Sequence, residues 1–385
     1  MIIVSSHTSD LEGPTEALIE YINNKFENNL IILHPLHYCS DRRTKILKKD
    51  NKKVIKKEYT NPATNGLIIT CFRDALITLY ACLKIKKNSN IITFIGVDPL
   101  NCFVGLILKF FGKIDKVIFY SIDWTPERFE NFILNKFYHL IDRICAKKSD
   151  LNWNVSEKIN YIKIKITSNL KKNILVPVGA KLVNIFETSR FKKKKLKNVV
   201  LLGALAPSKG CDLVINSWKK IIIDYPTAKL HVIGKTPNIP IENGIKYEPY
   251  ENKFKKIGKS VKLYGVRSRL EVINILKKMD LGLAVYKPVR NNLSNWADPS
   301  RIKDYLGAAL PVITTSVPKI SKEIKKNKCG IVIEYNDNQL RKNVVKMLKN
   351  IKLNRKYSHN CIKFMGEYRW EKIFNKCFNS RIFER

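Results

Sequence analysis

Four polar side chains crowd the start of one short helical pattern. In DPSRIKDYLGAALPVITT, from Asp298 to Thr315, the four are Asp298, Ser300, Arg301 and Asp304, with Lys303 between them. Asp298 suits an N-cap and Pro299 the first helical position. Ile302, Tyr305, Leu306 and Ala309 follow the i, i+3, i+4, i+7 rule and should form the buried face. Free N–H groups at a helix start can hold a phosphate, and Arg301 beside them adds a cation suited to phosphate oxygens. A carboxylate one turn on, Asp304, could accept both hydroxyls of a ribose. Together these match the layout of a nucleoside diphosphate. The plain alternative is an N-capped surface helix with an Arg301–Asp304 ion pair.

Two further stretches bear on that choice. LLGALAPSKGCDLVINSW places a strand, a turn with Lys209-Gly210 and then a helix. Lys209 could reach phosphates, and Gly203 and Gly210 permit close backbone approach. The alternative is an ordinary strand–helix turn with a solvated lysine. In VKLYGVRSRLEVINILKKMDLGLAVY a strand ends at Gly265, near where a base or ribose could lie.

These pieces need a scaffold, and the chain alternates strand and helix almost throughout. Apolar runs expected as buried parallel strands are 2–6, 30–34, 67–70, 91–95, 117–122, 151–155 and 174–178. Helical patterns over 15–24, 74–86 and 131–147 lie between them. A second set places strands at 199–203, 229–233, 261–264, 281–286, 311–315 and 330–334. Its helices are 212–223, 269–279 and 339–349, and helices at 355–366 and 370–378 close the chain. The rhythm breaks at AKLVNIFETSRFKKKKLKN, which is basic and aperiodic. The expected organisation is a Rossmann-like domain over 1–180, a basic linker over 181–197, a second Rossmann-like domain over 198–365, and a terminal helix within 366–385.

Composition narrows the classes. The chain has 385 residues, of which 45% are hydrophobic, ample for two cores. The net charge of +38 favours anionic partners, or reflects a Lys-rich residue usage. No zinc-finger spacing or RNA-binding aromatic signature accompanies it, which argues against nucleic acid as the partner. The nine cysteines form no CxxC pair and mostly sit in apolar runs, as buried thiols do. The start MIIVSSHTSD lacks the basic region of a signal peptide. In the most apolar stretch, 91–111, Asp98, Pro99 and Asn101 interrupt any membrane span. A cytoplasmic location, at or away from the inner membrane face, is the expectation.

The four stretches GALAPSKGCDLVINSW, AKLHVIG, VKLYGVRSRLEVINILKKMDLGLAVY and DPSRIKDYLGAALPVITT, in that order, resemble the nucleotide-sugar-binding half of retaining GT-B glycosyltransferases of the family-four type. EGPTEALIEYI resembles that family's glycine-bearing loop and first helix, and RWEKIFNKCF its helix crossing back to the first domain. The resemblance implies an α/β GT-B fold, two Rossmann-like domains facing across a cleft. It also implies transfer of a sugar from a nucleoside diphosphate sugar to a hydroxyl of a glycan or lipid-linked acceptor, with retention, in cell-surface polysaccharide or glycolipid assembly. By it, Gly13, Gly203, Lys209, Gly265, Asp298, Pro299, Ser300, Arg301 and Asp304 bind the donor. Lys209 and Arg301 neutralise the leaving diphosphate, so no metal or other cofactor is needed. Asp123, after the strand VIFYSI, is the first-domain candidate for acceptor or sugar hydroxyls; capping the next loop is its alternative role. Lys109, Phe110, Phe111, Lys113, Arg128 and Phe129 could hold the first domain against an anionic membrane.

Three positions depart from the family pattern: Ala204 stands where an Arg is common, Trp296 replaces the first of two paired glutamates, and the loop glycines read Gly13-Pro14. They leave open a second class of function, a catalytically silent protein that binds nucleotide or glycan. A basic nucleic-acid-binding protein is the third.

Overall fold

The computed structural model describes residues 1–8, 13–36, 41–51, 53–60, 67–85, 91–237, 248–289 and 292–379. Glu12 and Cys39 lie outside them. The chain divides into two units, Met1–Pro177 with Trp370–Arg385, and Val178–Arg369.

The first unit is built on an eight-stranded sheet. Its strands are β1 (Ile2–Thr8), β2 (Asn29–Pro35), β3 (Arg43–Asp50), β4 (Lys53–Thr60), β5 (Thr93–Val97), β6 (Lys116–Ser121), β7 (Leu151–Asn154) and β8 (Asn173–Leu175). The order is β4-β3-β2-β1-β5-β6-β7-β8. Strands β1, β2 and β5 to β8 pair in parallel, whereas β3 and β4 form an antiparallel hairpin on β2.

The structure departs from the sequence pattern at two places. The hairpin was not expected, because RTKILKKD and KVIKKEYT carry lysines where an inner strand would be apolar. They lie toward the sheet edge, where lysine is tolerated and discourages further pairing, while Thr44 and Ile46 supply the buried side. The run 67–70, expected as a strand, opens the helix Leu67–Leu83. A short apolar run looks the same in a buried strand and in a helix with few polar positions.

Helices Pro14–Lys25 and Trp370–Phe378 cover one face of this sheet. The terminal helix returns as expected: the Tyr21 hydroxyl donates to Asn375 at 2.7 Å, and Phe378 packs against Tyr21 and Trp153. Helices Leu67–Leu83, Asp98–Phe110 and Phe132–Lys148 form a layer on the other face.

The second unit holds β9 (Asn198–Leu202), β10 (Lys229–Ile233), β11 (Val261–Gly265), β12 (Leu281–Ala284), β13 (Val312–Thr315) and β14 (Gly330–Ile333). All pair in parallel in the order β11-β10-β9-β12-β13-β14. This is the doubly wound order, with its switch point between β9 and β12. One face packs on helices Cys211–Asp224 and Asp337–Lys349. The other packs on Ser300–Gly307 and Ile351–Met365.

The stretch expected as a linker lies inside the second unit. Arg190 is fully buried there and donates to the carbonyls of Met279, Ala308 and Ala309. A guanidinium suits such a place, because the last carbonyls of a helix carry partial negative charge and lack partners within the helix.

At the carboxyl end of β5, Asp98 adopts φ +63°, a conformation that Asp and Asn tolerate. Burial raises its pKa to about 7, with Asp123 adding to the shift. The folded chain therefore binds a proton that the unfolded chain has released between about pH 4 and pH 7. Stability from this group falls as pH rises through that window, at about 1.4 kcal/mol per pH unit. Asp98→Asn should lack this loss. In urea melts, its stability relative to the wild type should grow from pH 4 to 7 and level off above; a constant difference would refute the assignment.

Candidate functional site

The carboxyl ends of β9 and β12 flank the switch point, where open α/β sheets bind ligands. β9 runs into Gly203, and β12 continues through Val285 to Tyr286. Gly203 takes φ +108°, and a side chain added there would come within 3.9 Å of Arg301 Cδ.

Helix Ser300–Gly307 delivers Arg301 to this edge. Its buried face is the expected one: Ile302, Tyr305 and Leu306 are inaccessible, as is Ala309 beyond it. Arg301 is only 7% exposed. Its Nε donates to the Tyr286 hydroxyl at 2.8 Å, and its NH groups reach the carbonyls of Leu202 and Lys209, each at 3.3 Å. The guanidinium lies 4.2 Å from the Tyr286 ring centre. Burial alone would lower its pKa; the hydroxyls of Tyr286 and Tyr305 outweigh that, and the net shift is upward.

Lys209 ends the turn Pro207–Lys209. Its ammonium donates to Ser294 Oγ at 2.9 Å and sits 5.3 Å from the same Tyr286 ring. Two cations therefore share one aromatic ring at the switch point. Such a pair repels itself and attracts an oxyanion group such as a diphosphate.

Gly210 follows Lys209 with φ +77°, and a Cβ there would stand 1.7 Å from the Val285 carbonyl oxygen. Only glycine lets the turn close onto β12.

The carboxylates are placed differently from expectation. The N-cap position falls on Pro299 and not on Asp298. Asp298 accepts from the Val178 N–H at 3.0 Å and faces Lys303 Nζ at 3.4 Å. Asp304 pairs with Arg269, at 3.1 Å, from the start of helix Arg269–Leu276. Burial raises the Asp304 pKa, and Arg269 opposes the shift. Ser300 is exposed at the helix start, and Gly265 closes β11 at the same sheet edge.

Tyr286, Ser294 and Arg269 escaped the sequence reading. Tyr286 ends an apolar run and looks like core. Ser294 lies in a polar loop with no periodic signal. Arg269 looks like an ordinary first-turn residue.

Gly13 and Asp123 belong to the first unit. Gly13 precedes helix Pro14–Lys25, and its N–H is held by Glu16 at 2.6 Å. Asp123 follows β6 and pairs with Arg128 at 2.5 Å, while its carbonyl accepts from Tyr138. His7 is a hydrogen-bonding residue, with Nε2 3.2 Å from Asp74 and Nδ1 3.0 Å from Asn101.

Residues 196–350 match the family model described as Glycosyl transferases group 1. The whole chain superimposes on solved structures of similar length. HepE of Anabaena, in complex with UDP, gives a TM-score of 0.69 at 11% identity, over 99% of each chain. The sucrose-phosphate synthase of Thermosynechococcus elongatus gives 0.70 at 10% identity, over 100% of this chain and 99% of that one. WaaG, a glycosyltransferase involved in lipopolysaccharide biosynthesis, gives 0.64 at 14%, over 100% of both.

The fold is GT-B. The matched family segment contains Lys209, Tyr286, Arg301 and Asp304. No curated protein sequence matches this chain.

Replacing Gly210 with Ala forces a left-handed alanine and a clash with Val285. The left-handed conformation alone costs about 1–2 kcal/mol, so the denaturation midpoint should fall measurably, while Lys219→Ala on the exposed face of the next helix should not move it. An unchanged midpoint for Gly210→Ala would show that the turn can relax without cost.

Proposed function

We propose that the protein transfers a sugar from a nucleoside diphosphate sugar to a hydroxyl of a glycan or lipid-linked acceptor, with retention at the anomeric carbon. The observation that carries this reading is the pair of cations, Lys209 and Arg301, on the Tyr286 ring at the switch point of a GT-B fold. The match to Glycosyl transferases group 1 supports nucleotide-sugar transfer. UDP-bound HepE supports the class of donor.

In the reaction the bond from the anomeric carbon to the diphosphate oxygen breaks, a bond to the acceptor oxygen forms, and the proton of the acceptor hydroxyl passes to the leaving diphosphate. Negative charge grows on the leaving diphosphate. Lys209 and Arg301 are already in place to meet it, which is electrostatic stabilisation by preorganised groups. Arg301 is held by three partners, so little reorganisation accompanies the step. Lys209 exchanges Ser294 for the diphosphate. The proposal includes no divalent cation and no other cofactor, since these two charges take the part a metal would play. Helix N–H groups near Ser300 supply further donors. Asp304 is the candidate for the ribose diol, and Arg269 orients it. Asp123 is the candidate for acceptor or sugar hydroxyls. The chain would act in the cytoplasm, at the inner membrane face, in assembling cell-surface polysaccharide or glycolipid.

A silent binding protein is the second reading. Trp296, where a carboxylate is expected, and the engagement of Asp304 by Arg269 favour it.

Purified protein should hydrolyse or transfer from UDP-, GDP- or ADP-sugars in the presence of EDTA. Lys209→Ala should cut turnover about 100-fold, the usual order for loss of one transition-state donor. Donor binding without turnover in the wild type would leave the silent reading; dependence on added magnesium or manganese would overturn the metal-free mechanism.

A further inference from the structure

The helix layer on the first unit has an unusual outer face. Leu67–Leu83 packs on Asp98–Phe110, which packs on Phe132–Lys148. Their inner sides share one core over the sheet. The outer side of Leu67–Leu83 shows Ile69, Phe72, Leu76, Tyr80 and Leu83, all at least half exposed. The spacing is that of one helical stripe. Phe110 is 84% exposed at the end of the middle helix, and Phe111 follows it. On the third helix Ile133, Phe137 and Leu140 repeat the pattern, with Ile133 at 75%. Large exposed apolar faces on a folded unit mark interaction sites.

Charge identifies what covers this one. The three helices contain only three acidic residues, Asp74, Asp98 and Asp142. Asp74 and Asp142 are buried, and Asp98 turns to the Ile122 N–H. The exposed charges on the helices themselves and just past their carboxyl ends are basic, Lys84, Lys113, Lys136, Arg143, Lys147 and Lys148, whereas the exposed Glu127 and Glu130 precede the third helix. Lys84 lies 3.9 Å from the Tyr80 ring centre and Lys136 4.4 Å from that of Phe132. Such side chains can extend from an apolar surface to meet anionic headgroups. A second copy would bring the same basic face against itself, in a chain of net charge +38.

Of the membrane-facing residues expected from sequence, Phe110, Phe111 and Lys113 are exposed. Lys109 pairs instead with Asp150 and Arg128 with Asp123. The surface centres on two helices that were not expected to carry it.

We propose that the outer face of this three-helix layer docks on an anionic lipid bilayer, with the apolar stripes at acyl depth and the lysines and arginines among the headgroups. This deepens the reading of a lipid-linked acceptor and rests on it: docking would present a membrane-held acceptor to the first unit.

The test is flotation of the full chain with phosphatidylcholine vesicles, with and without phosphatidylglycerol. The wild type should float only with phosphatidylglycerol, and less in high salt. Phe72→Asp/Leu76→Asp and, separately, Lys136→Glu/Arg143→Glu should each lower the bound fraction about tenfold. Unchanged circular dichroism and UDP binding would confirm that the variants are folded. A wild type that stays at the bottom of the gradient overturns the proposal, as do variants that float like it. A dimer seen by sedimentation velocity and lost in the same variants would assign the face to a second copy instead. Flotation without sugar turnover would support the surface and remove the enzymatic reading; turnover without flotation would do the reverse.

Discussion

A buried arginine organises the second unit. Arg301 reaches the end of β9 through the Leu202 carbonyl, the following turn through the Lys209 carbonyl, and the end of β12 through Tyr286. Three segments distant in sequence are thereby tied at one point. Burying a guanidinium is costly unless its donors are met and its charge is balanced. Here two carbonyls, a phenol and a ring face supply that. The arrangement leaves positive charge at the switch point with no carboxylate among those contacts, which is the electrostatic condition for an anionic ligand. Arg190 provides a second tie from behind, closing the carbonyl ends of the helices that begin with Arg269 and Ser300.

The same constraint explains what happens to the carboxylates. Arg301 turns inward to Tyr286, and Asp304 takes Arg269 from the neighbouring helix. Asp298 faces Val178 and Lys303. A helix start that looked overloaded with polar groups is thus divided among three arrangements: a buried cation at the proposed diphosphate site, a pair with a neighbouring helix, and a fastening for the chain where it enters the second unit. Trp296 stands where the resembled family has the first of two paired glutamates, so the proposed sugar site departs from that pattern.

Much of this was legible in the sequence, for definite reasons. The second unit's strands are short apolar runs bounded by polar turns, and 229–233 coincides with its strand. Lys209 and Arg301 stood out because a strand–turn–helix and a helix start are the places where phosphates bind. The hairpin of β3 and β4 was hidden because its lysines mask the alternation of Thr44 and Ile46. Arg190 was hidden next to a run of lysines that looks like a linker; nothing local marks one cation there as buried. Tyr286 was hidden because an aromatic ending a strand looks like core until the cations on its ring are seen.

The central claim is that Lys209, Arg301 and Tyr286 form a diphosphate site. Calorimetric titration with uridine, UMP and UDP tests it most directly. Affinity should rise with each phosphate, and Lys209→Ala should remove most of the gain from the second phosphate while sparing uridine. Equal affinity for uridine and UDP in the wild type would contradict the account.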